Sequence, residues 1–274
     1  MSGCFFLLDK PLDVSSFFCI KPFKKNYKRV GHSGTLDPFA TGLLVVAVER
    51  ATKFIQYLPT SKKYFFSIQF GFKTDSDDVS GKVVEKNNKR PELKDIVSSI
   101  YKFIGLIEQR PNKFSAIKIN GKRAYKLARN GVLFDIPKRN VFIHSLELIS
   151  FEGDVASFEV VCEKGTYVRT LASDLCNSLS VLGCVITLRR IASNGFDLGL
   201  IEKATEGIGL DCFFEFYPSL FISFEQFEKL KNGCELSIKD DRLIGGAIYC
   251  LNLNEEFRGL VKTTNFSIKK LYLI

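Results

Sequence analysis

The sequence predicts an α+β fold: a mixed, mostly antiparallel central sheet with flanking helices, a strongly basic insertion, and a small C-terminal β-barrel-like module. Three observations carry this. Strand-period and helix-period segments mix along the chain without regular βαβ alternation. The tail after residue 215 holds short candidate strands punctuated by Gly233, Gly245-Gly246 and Gly259. Residues 110–134 contain seven basic side chains and no acidic one, a clustering that points outward to a polyanion rather than inward to a core.

The elements follow in order. Residues 43–57 begin as a continuous apolar run and turn helix-like toward Ile55 and Leu58, so a buried strand leads into a helix. Tyr64, Phe66, Ile68 and Phe70 alternate with Phe65, Ser67 and Gln69 in a strand covered largely on both faces and ended by Gly71. A loop rich in Asp and Ser occupies 74–81. Leu93, Ile96, Val97, Ile100, Phe103 and Ile104 repeat at three and four between Pro91 and Gly105, which marks a helix at both ends. Residues 141–149 and 155–162 read as two strands joined at Glu152-Gly153-Asp154. Leu171, Leu175, Leu179 and Leu182 define a helix stopped by Gly183, and 185–191 is a further strand. Beyond Tyr217-Pro218, residues 236–238, 247–253 and 259–261 are candidate strands. The length of 274 residues accommodates one large domain, 1–214, and a small one, 215–274.

Composition narrows the chemistry. A formal charge of +9 favours a polyanionic partner over an acidic small substrate. Only His32 and His144 are present and no cysteine pair has C-x-x-C spacing, so no metal site is expected and the eight cysteines read as reduced core residues. The amino terminus lacks the basic flank and length of a signal peptide, and no apolar run approaches the ~18 to 20 residues of a membrane helix. A cytoplasmic protein with no membrane partner is the expectation.

The densest segment is Gly31-His32-Ser33-Gly34-Thr35-Leu36-Asp37-Pro38-Phe39-Ala40-Thr41-Gly42. Its three glycines and one proline make a loop that can approach a ligand closely while presenting His32 and Asp37 together. Taken singly, an aspartate before proline is most often a turn or helix cap. The company it keeps decides otherwise. This segment resembles the signature of the TruB family of tRNA uridine-55 pseudouridine synthases, as do Asp9-Lys10-Pro11 with Ser15-Ser16, and Glu49-Arg50-Ala51-Thr52-Lys53. Lys63-Tyr64 and Gly71-Phe72-Lys73-Thr74-Asp75-Ser76-Asp77-Asp78 with Gly81 resemble the next block. Gln109-Arg110-Pro111 through Ser115-Ala116-Ile117-Lys118 to Gly121-Lys122-Arg123-Ala124-Tyr125 resembles the family's RNA-gripping insertion. Lys164-Gly165-Thr166-Tyr167-Val168-Arg169-Thr170 and Leu188-Arg189-Arg190 complete an ordered set across residues 9–190.

The resemblance implies isomerisation of uridine to pseudouridine in the T arm of tRNA, by base flipping and without a cofactor. Asp37 is then the catalytic carboxylate. Arg169 matches the position that pairs with it, and a neighbouring guanidinium lowers a carboxylate pKa by ~1 to 3 units. Tyr64 and Tyr167 match positions set against the target base, where stacking supplies ~1 to 3 kcal/mol, and Leu188 packs beneath. Read alone, each of these three is more often plain core. His32 matches the residue that fills the space left by the flipped uridine, with general acid or base work as its rival role. Asp78 matches an acidic position that organises the site; Ser80 stands where the family often carries a second acid.

Lys10, Lys118, Lys122, Arg123, Lys126 and Arg129 are the candidate RNA-binding cations. The tail resembles a PUA-type RNA-binding module in Phe216-Tyr217-Pro218 and Asn232-Gly233, with a linker after Ile201 that is short for the bacterial form. The expected partner is the tRNA T arm, with no obligatory protein partner and a monomeric chain. Two rival readings are a non-catalytic RNA-binding or tRNA-folding protein on the same scaffold, and the catalytic subunit of a guide-RNA-directed relative. The retention of Asp37, Tyr64 and Arg169 speaks against the first, and the compact length with its bacterial-like insertion against the second.

Overall fold

The computed structural model describes residues 3–237, 243–264 and 267–274. The chain enters through β1 (Phe5–Lys10) and the short helix α1 (Ser16–Ile20), whose N-cap Ser15 accepts a hydrogen bond from the Phe18 amide at 3.2 Å. Next come β2 (Val30–His32) and β3 (Thr41–Val48), and β3 is buried continuously from Gly42 onward. The apolar run is therefore a strand covered on both faces, and it passes into α2 (Ala51–Phe54) as its pattern predicts.

The alternating segment is β4 (Lys62–Phe70), and the Asp- and Ser-rich loop lies between the paired strands β5 (Phe72–Thr74) and β6 (Val83–Lys86). Helix α3 (Leu93–Ile100) buries Ile96, Ser99 and Ile100, tightens into a 3₁₀ turn over Tyr101–Phe103 and gives way to β7 (Gly105–Gln109). The basic insertion has regular structure of its own: β8 (Lys118–Ile119) and β9 (Lys122–Arg123) form a hairpin leading into α4 (Ala124–Arg129). Its turn residues Asn120 and Gly121 have φ of 46° and 80°, the paired left-handed conformation for which Asn-Gly is the preferred sequence.

The long antiparallel pair β10 (Arg139–Glu152) and β11 (Val155–Cys162), helix α5 (Val168–Ser178), β12 (Gly183–Ser193) and β13 (Phe196–Asp197) complete the main sheet. Its order is β1-β3-β12-β4-β11-β10-β7, with β2 attached to β3 and β13 to β12. Every pairing is antiparallel except β12 with β3. That parallel contact joins Arg189 to Thr41 and Arg190 to Gly42. A Cβ on Gly42 would sit 2.2 Å from the Arg190 carbonyl oxygen, and its φ is 102°, so only glycine lets β3 start where it does. Helices α3 and α5 cover one face, where Ile96, Leu171 and Leu175 pack on Phe66, Ile68 and Phe158.

After α6 (Phe213–Phe216), a second sheet forms from β14 (Ser219–Phe221), β15 (Leu236–Ser237), β16 (Ile248–Leu253), β17 (Glu256–Thr263) and β18 (Ser267–Leu273), in the order β14-β16-β17-β18-β15. Helix α7 (Phe224–Lys231) packs beside it behind a capping box of Ser223 and Gln226. The small β-barrel-like module anticipated in the tail is present as this sheet, though β14 and β18 were not among the expected strands and Ile238 lies outside the described residues. Its inner side joins a hydrophobic cluster with the first part of the chain: Phe54 and Phe213 pack with Cys250, Phe257 and Leu260. All eight cysteines are free, but Cys234 is exposed instead of in the core. Among the described residues no helix is long and apolar enough to cross a membrane.

Phe66 is fully buried, faces Phe158 across the strand pair and stacks on it with ring centroids 5.2 Å apart. Replacement of Phe66 by Ala is expected to lower unfolding free energy by ~3 to 5 kcal/mol, from lost burial and the cavity left behind. Urea denaturation checks this through a fall in midpoint at unchanged slope.

Candidate active site

The strand order gathers residues far apart in sequence at one end of the sheet. Asp37 lies in the loop between β2 and β3, Tyr64 near the start of β4, Tyr167 at the N-cap of α5, Arg169 in that helix's first turn and Leu188 on β12. These five line one cleft of about 300 Å³, with Ala116 and Ile117 from the root of the basic insertion closing its side.

Asp37 Oδ2 lies 2.8 Å from Arg169 Nη2, and Asp78 Oδ2 lies 3.1 Å from Arg169 Nη1. The guanidinium thus stands between two carboxylates, and it also donates to the carbonyls of Ser76 at 2.8 Å and Phe114 at 3.2 Å. Arg169 and Asp78 are almost wholly buried, whereas the Asp37 side chain keeps 30% of its surface open. Asp78 is further fixed through Oδ1, which accepts from Ser76 Oγ at 3.0 Å, the Ser80 amide at 2.9 Å and the Ser80 hydroxyl. Ser80, standing where the resembled family often carries a second acid, acts here as a donor that orients Asp78.

Burial raises the Asp37 pKa above the ordinary aspartate value, Arg169 opposes the rise through charge and hydrogen bonding, and the Asp78 carboxylate adds to it. This corrects the expectation that Arg169 would bring the pKa of Asp37 below normal. One cation shared by two acids in a poorly solvated site does not outweigh desolvation.

The loop carrying Asp37 is pinned on both sides. Ser16 Oγ accepts from the Leu36 amide at 2.8 Å and donates to the Leu36 carbonyl at 3.0 Å. Lys10 Nζ donates to the carbonyls of Pro38 at 3.0 Å, Val14 at 2.6 Å and Pro11 at 2.8 Å. Lys10 is fully buried, so its assignment as an RNA-binding cation is corrected: with its ammonium committed to three carbonyls, it braces the loop rather than meeting a phosphate. Arg190, also fully buried, holds the flanks by donating to Gly34 O at 3.1 Å and Leu43 O at 2.7 Å.

Tyr64 is almost wholly buried and Leu188 lies beside it on the next strand, each packing into the main core while lining the cleft. Tyr167 is held by its backbone: buried Gln109 accepts from the Tyr167 amide at 3.1 Å and donates to its carbonyl at 3.4 Å. The Arg139 guanidinium lies over the Tyr167 ring, 4.7 Å from its centroid, and lines the same cleft. Neither Gln109 nor Arg139 was singled out as a site residue, because each acts through a partner more than twenty-five residues away.

His32 is not brought into this cleft. It sits on β2 and lines an adjoining groove with Lys24, Tyr27 and Lys28. Burial and the nearby Arg190 charge lower its pKa, which favours the neutral ring. Lys118, Lys122, Arg123, Lys126 and Arg129 all lie on the insertion, and the Arg129 guanidinium is 5.8 Å from the Tyr125 ring centroid. Among the described residues no three His, Cys, Asp or Glu side chains converge as a metal site.

Removal of the Arg169 charge leaves Asp37 and Asp78 without the cation that pairs with both. An Arg169→Met substitution is expected to cost ~3 to 5 kcal/mol of stability at neutral pH, as for other broken buried ion pairs. Parallel denaturation of Asp78→Asn, in which one acid is removed and the remaining pair survives, should show a smaller loss.

Residues 22–168 match the model of the TruB family pseudouridylate synthase N-terminal domain. The chain is 36% identical over 253 residues to tRNA pseudouridine synthase B of Clostridium kluyveri, a match spanning 88% of this chain and 87% of that protein. To the protein of the same name from Agrobacterium fabrum it is 40% identical over 251 residues, spanning 83% and 80%. Among solved structures, a chain of a Cbf5-Nop10-Gar1 complex shares the fold with a TM-score of 0.72 at 22% identity, covering 98% of this chain and 84% of that one. A chain of an H/ACA RNP bound to a substrate RNA containing 2′-deoxyuridine gives the same TM-score at 20% identity, with the same coverage. With a carboxylate and guanidinium paired in a cleft that two tyrosines also line, and with relatives matched over most of its length, this chain belongs to the TruB family of pseudouridylate synthases, isomerases that convert uridine to pseudouridine.

Proposed function

We propose that the protein isomerises the uridine at position 55 in the T arm of tRNA and that Asp37 is its catalytic carboxylate. The observation that carries this reading is the Asp37–Arg169 pair, partly open to a cleft that also presents Tyr64, Tyr167 and Leu188. The reaction replaces the C1′–N1 bond by a C1′–C5 bond, and a proton leaves C5 as N1 gains one. No redox equivalent or transferred group is required. An ionised carboxylate held by a guanidinium can act first on the glycosidic bond and then on the C5 proton, and Arg169 keeps it aimed throughout.

Such chemistry requires the base to leave its stack. Tyr64 and Tyr167 supply aromatic faces for it, and Leu188 supplies the apolar floor. His32, neutral and just outside the cleft, takes the vacated place in the RNA stack. Asp78 organises the site through Arg169 without meeting the substrate. Lys118, Lys122, Arg123, Lys126 and Arg129 grip the phosphate backbone from the insertion, with affinity that falls as salt rises. The sheet beyond residue 215 contacts the RNA as a PUA-type module, and the chain works as a monomer in the cytoplasm.

The test is incubation of purified protein with an unmodified tRNA transcript, followed by mapping of pseudouridine. Signal is expected at the T-arm uridine and should vanish when that uridine is replaced; conversion at some other site would refute the assignment of position. Asp37→Asn should reduce turnover by at least ~10² to 10⁴-fold while leaving RNA affinity nearly intact. If the Asp37→Asn protein converts the uridine at the normal rate, Asp37 is not the catalytic carboxylate and the chemistry lies elsewhere.

The ionised form of Asp37 is the active one, and its pKa is raised by burial. Turnover should therefore fall on the acid side at a pH above the ordinary aspartate value, as protonation removes the active carboxylate. A pH profile of kcat/KM that stayed flat down to the usual carboxylate range would contradict this.

A further inference from the structure

The cleft has a second charged wall that the chemistry above does not use. Lys62 opens β4 two residues before Tyr64 and lines the same cleft as Asp37. A Cβ built on Gly34 would come 3.0 Å from Lys62 Nζ and 3.5 Å from Arg190 Nη1, so both cations crowd the one side of this loop glycine where a side chain would stand. Neither cation has a carboxylate partner among the described residues. Glu163, the acid near Lys62, is engaged instead by the Thr60 hydroxyl and by His144 Nε2 at 2.8 Å. Arg190 uses Nε and Nη2 on carbonyls and leaves its buried Nη1 with no partner.

A cleft-lining cation with no carboxylate partner and a second, sealed cation close to it calls for an anion, and an uncharged uracil carbonyl would leave its charge unbalanced. Building on the reading that a uridine in RNA is the substrate, we propose that Lys62 binds a phosphate flanking the flipped nucleotide, with the buried Arg190 adding its field nearby. Lys62 is the contacting group, since it borders the cleft, while Arg190 is sealed from it. The groups around Lys62 fit this division. Burial, Arg190 and Lys164 push its ammonium down to about 8, against weaker opposition from Cys162 and Glu163. A cation destabilised in this way regains its proton when a phosphate arrives.

The test uses the full chain and an RNA hairpin of the T arm, with binding measured across salt and pH for the native protein, Lys62→Met and Lys62→Arg. Lys62→Met should bind about ten- to a hundredfold more weakly, the loss of one charge-assisted contact. Its slope of log affinity against log salt should be shallower by about 0.7 to 0.9, as for one phosphate released. Lys62→Arg should keep the native slope. Native binding should weaken as pH rises past about 8, where free Lys62 loses its proton, and Lys62→Arg should not follow. One neutral methylphosphonate beside the target uridine should weaken the native protein and leave Lys62→Met unaffected.

If Lys62→Met keeps the native salt slope and every methylphosphonate costs it as much as the native protein, Lys62 is a packing residue and the phosphate subsite is overturned. Pseudouridine formation by the same native preparation separates the two readings. A native protein that forms pseudouridine yet shows the unaltered slope in Lys62→Met overturns the subsite alone, whereas one that forms none overturns the functional reading beneath it.

Discussion

The site depends on one guanidinium shared by two carboxylates. Without Arg169, Asp37 and Asp78 would be brought together as like charges in a setting where water screens them poorly. With it, Asp78 is buried and saturated by donors while Asp37 stays partly open to the cleft. The asymmetry separates the two acids: one is committed to orienting the cation and the other remains open to the cleft. The same balance leaves Asp37 with a raised pKa, because burial penalises its charge more than the shared guanidinium offsets.

Holding that balance requires the Asp37 loop to be stiff, and the fold supplies stiffness from three directions. Ser16 clips Leu36, Lys10 clips Pro38, and Arg190 ties Gly34 to the start of β3. Gly42 permits the close parallel approach of β3 and β12 that sets where the loop ends. Each clamp spends a charged or hydroxyl donor on a backbone carbonyl or amide, which keeps buried polar groups satisfied as it fixes geometry. Positioning is thereby built into the scaffold before any RNA arrives.

The basic residues divide by burial into two populations with different work. Lys10, Arg169 and Arg190 are enclosed, and their short hydrogen bonds are little affected by salt. The insertion's lysines and arginines reach solvent, where their pull on a polyanion is long-ranged and screened within roughly 8 to 10 Å at ordinary ionic strength. Net charge alone does not distinguish the two. Burial does, and it divides a basic composition into internal clamps and an exposed basic surface.

Residue order alone determined the class of fold, the main strands and helices, and the pairing of Asp37 with Arg169 as neighbours, because alternation, helix periodicity and an ordered series of motifs are local or linear signals. It misplaced Lys10, since a lysine beside aspartate and proline reads as surface until the loop it braces is in view. It passed over Gln109, Arg139 and Lys62, whose roles arise from Tyr167 and Gly34, residues adjacent only after the sheet forms. β18 went unread because Lys269 and Lys270 stand side by side and break its alternation. Only the tertiary structure decided the pKa of Asp37 and the burial of each cation, because desolvation is a property of surrounding atoms that no linear spacing contains.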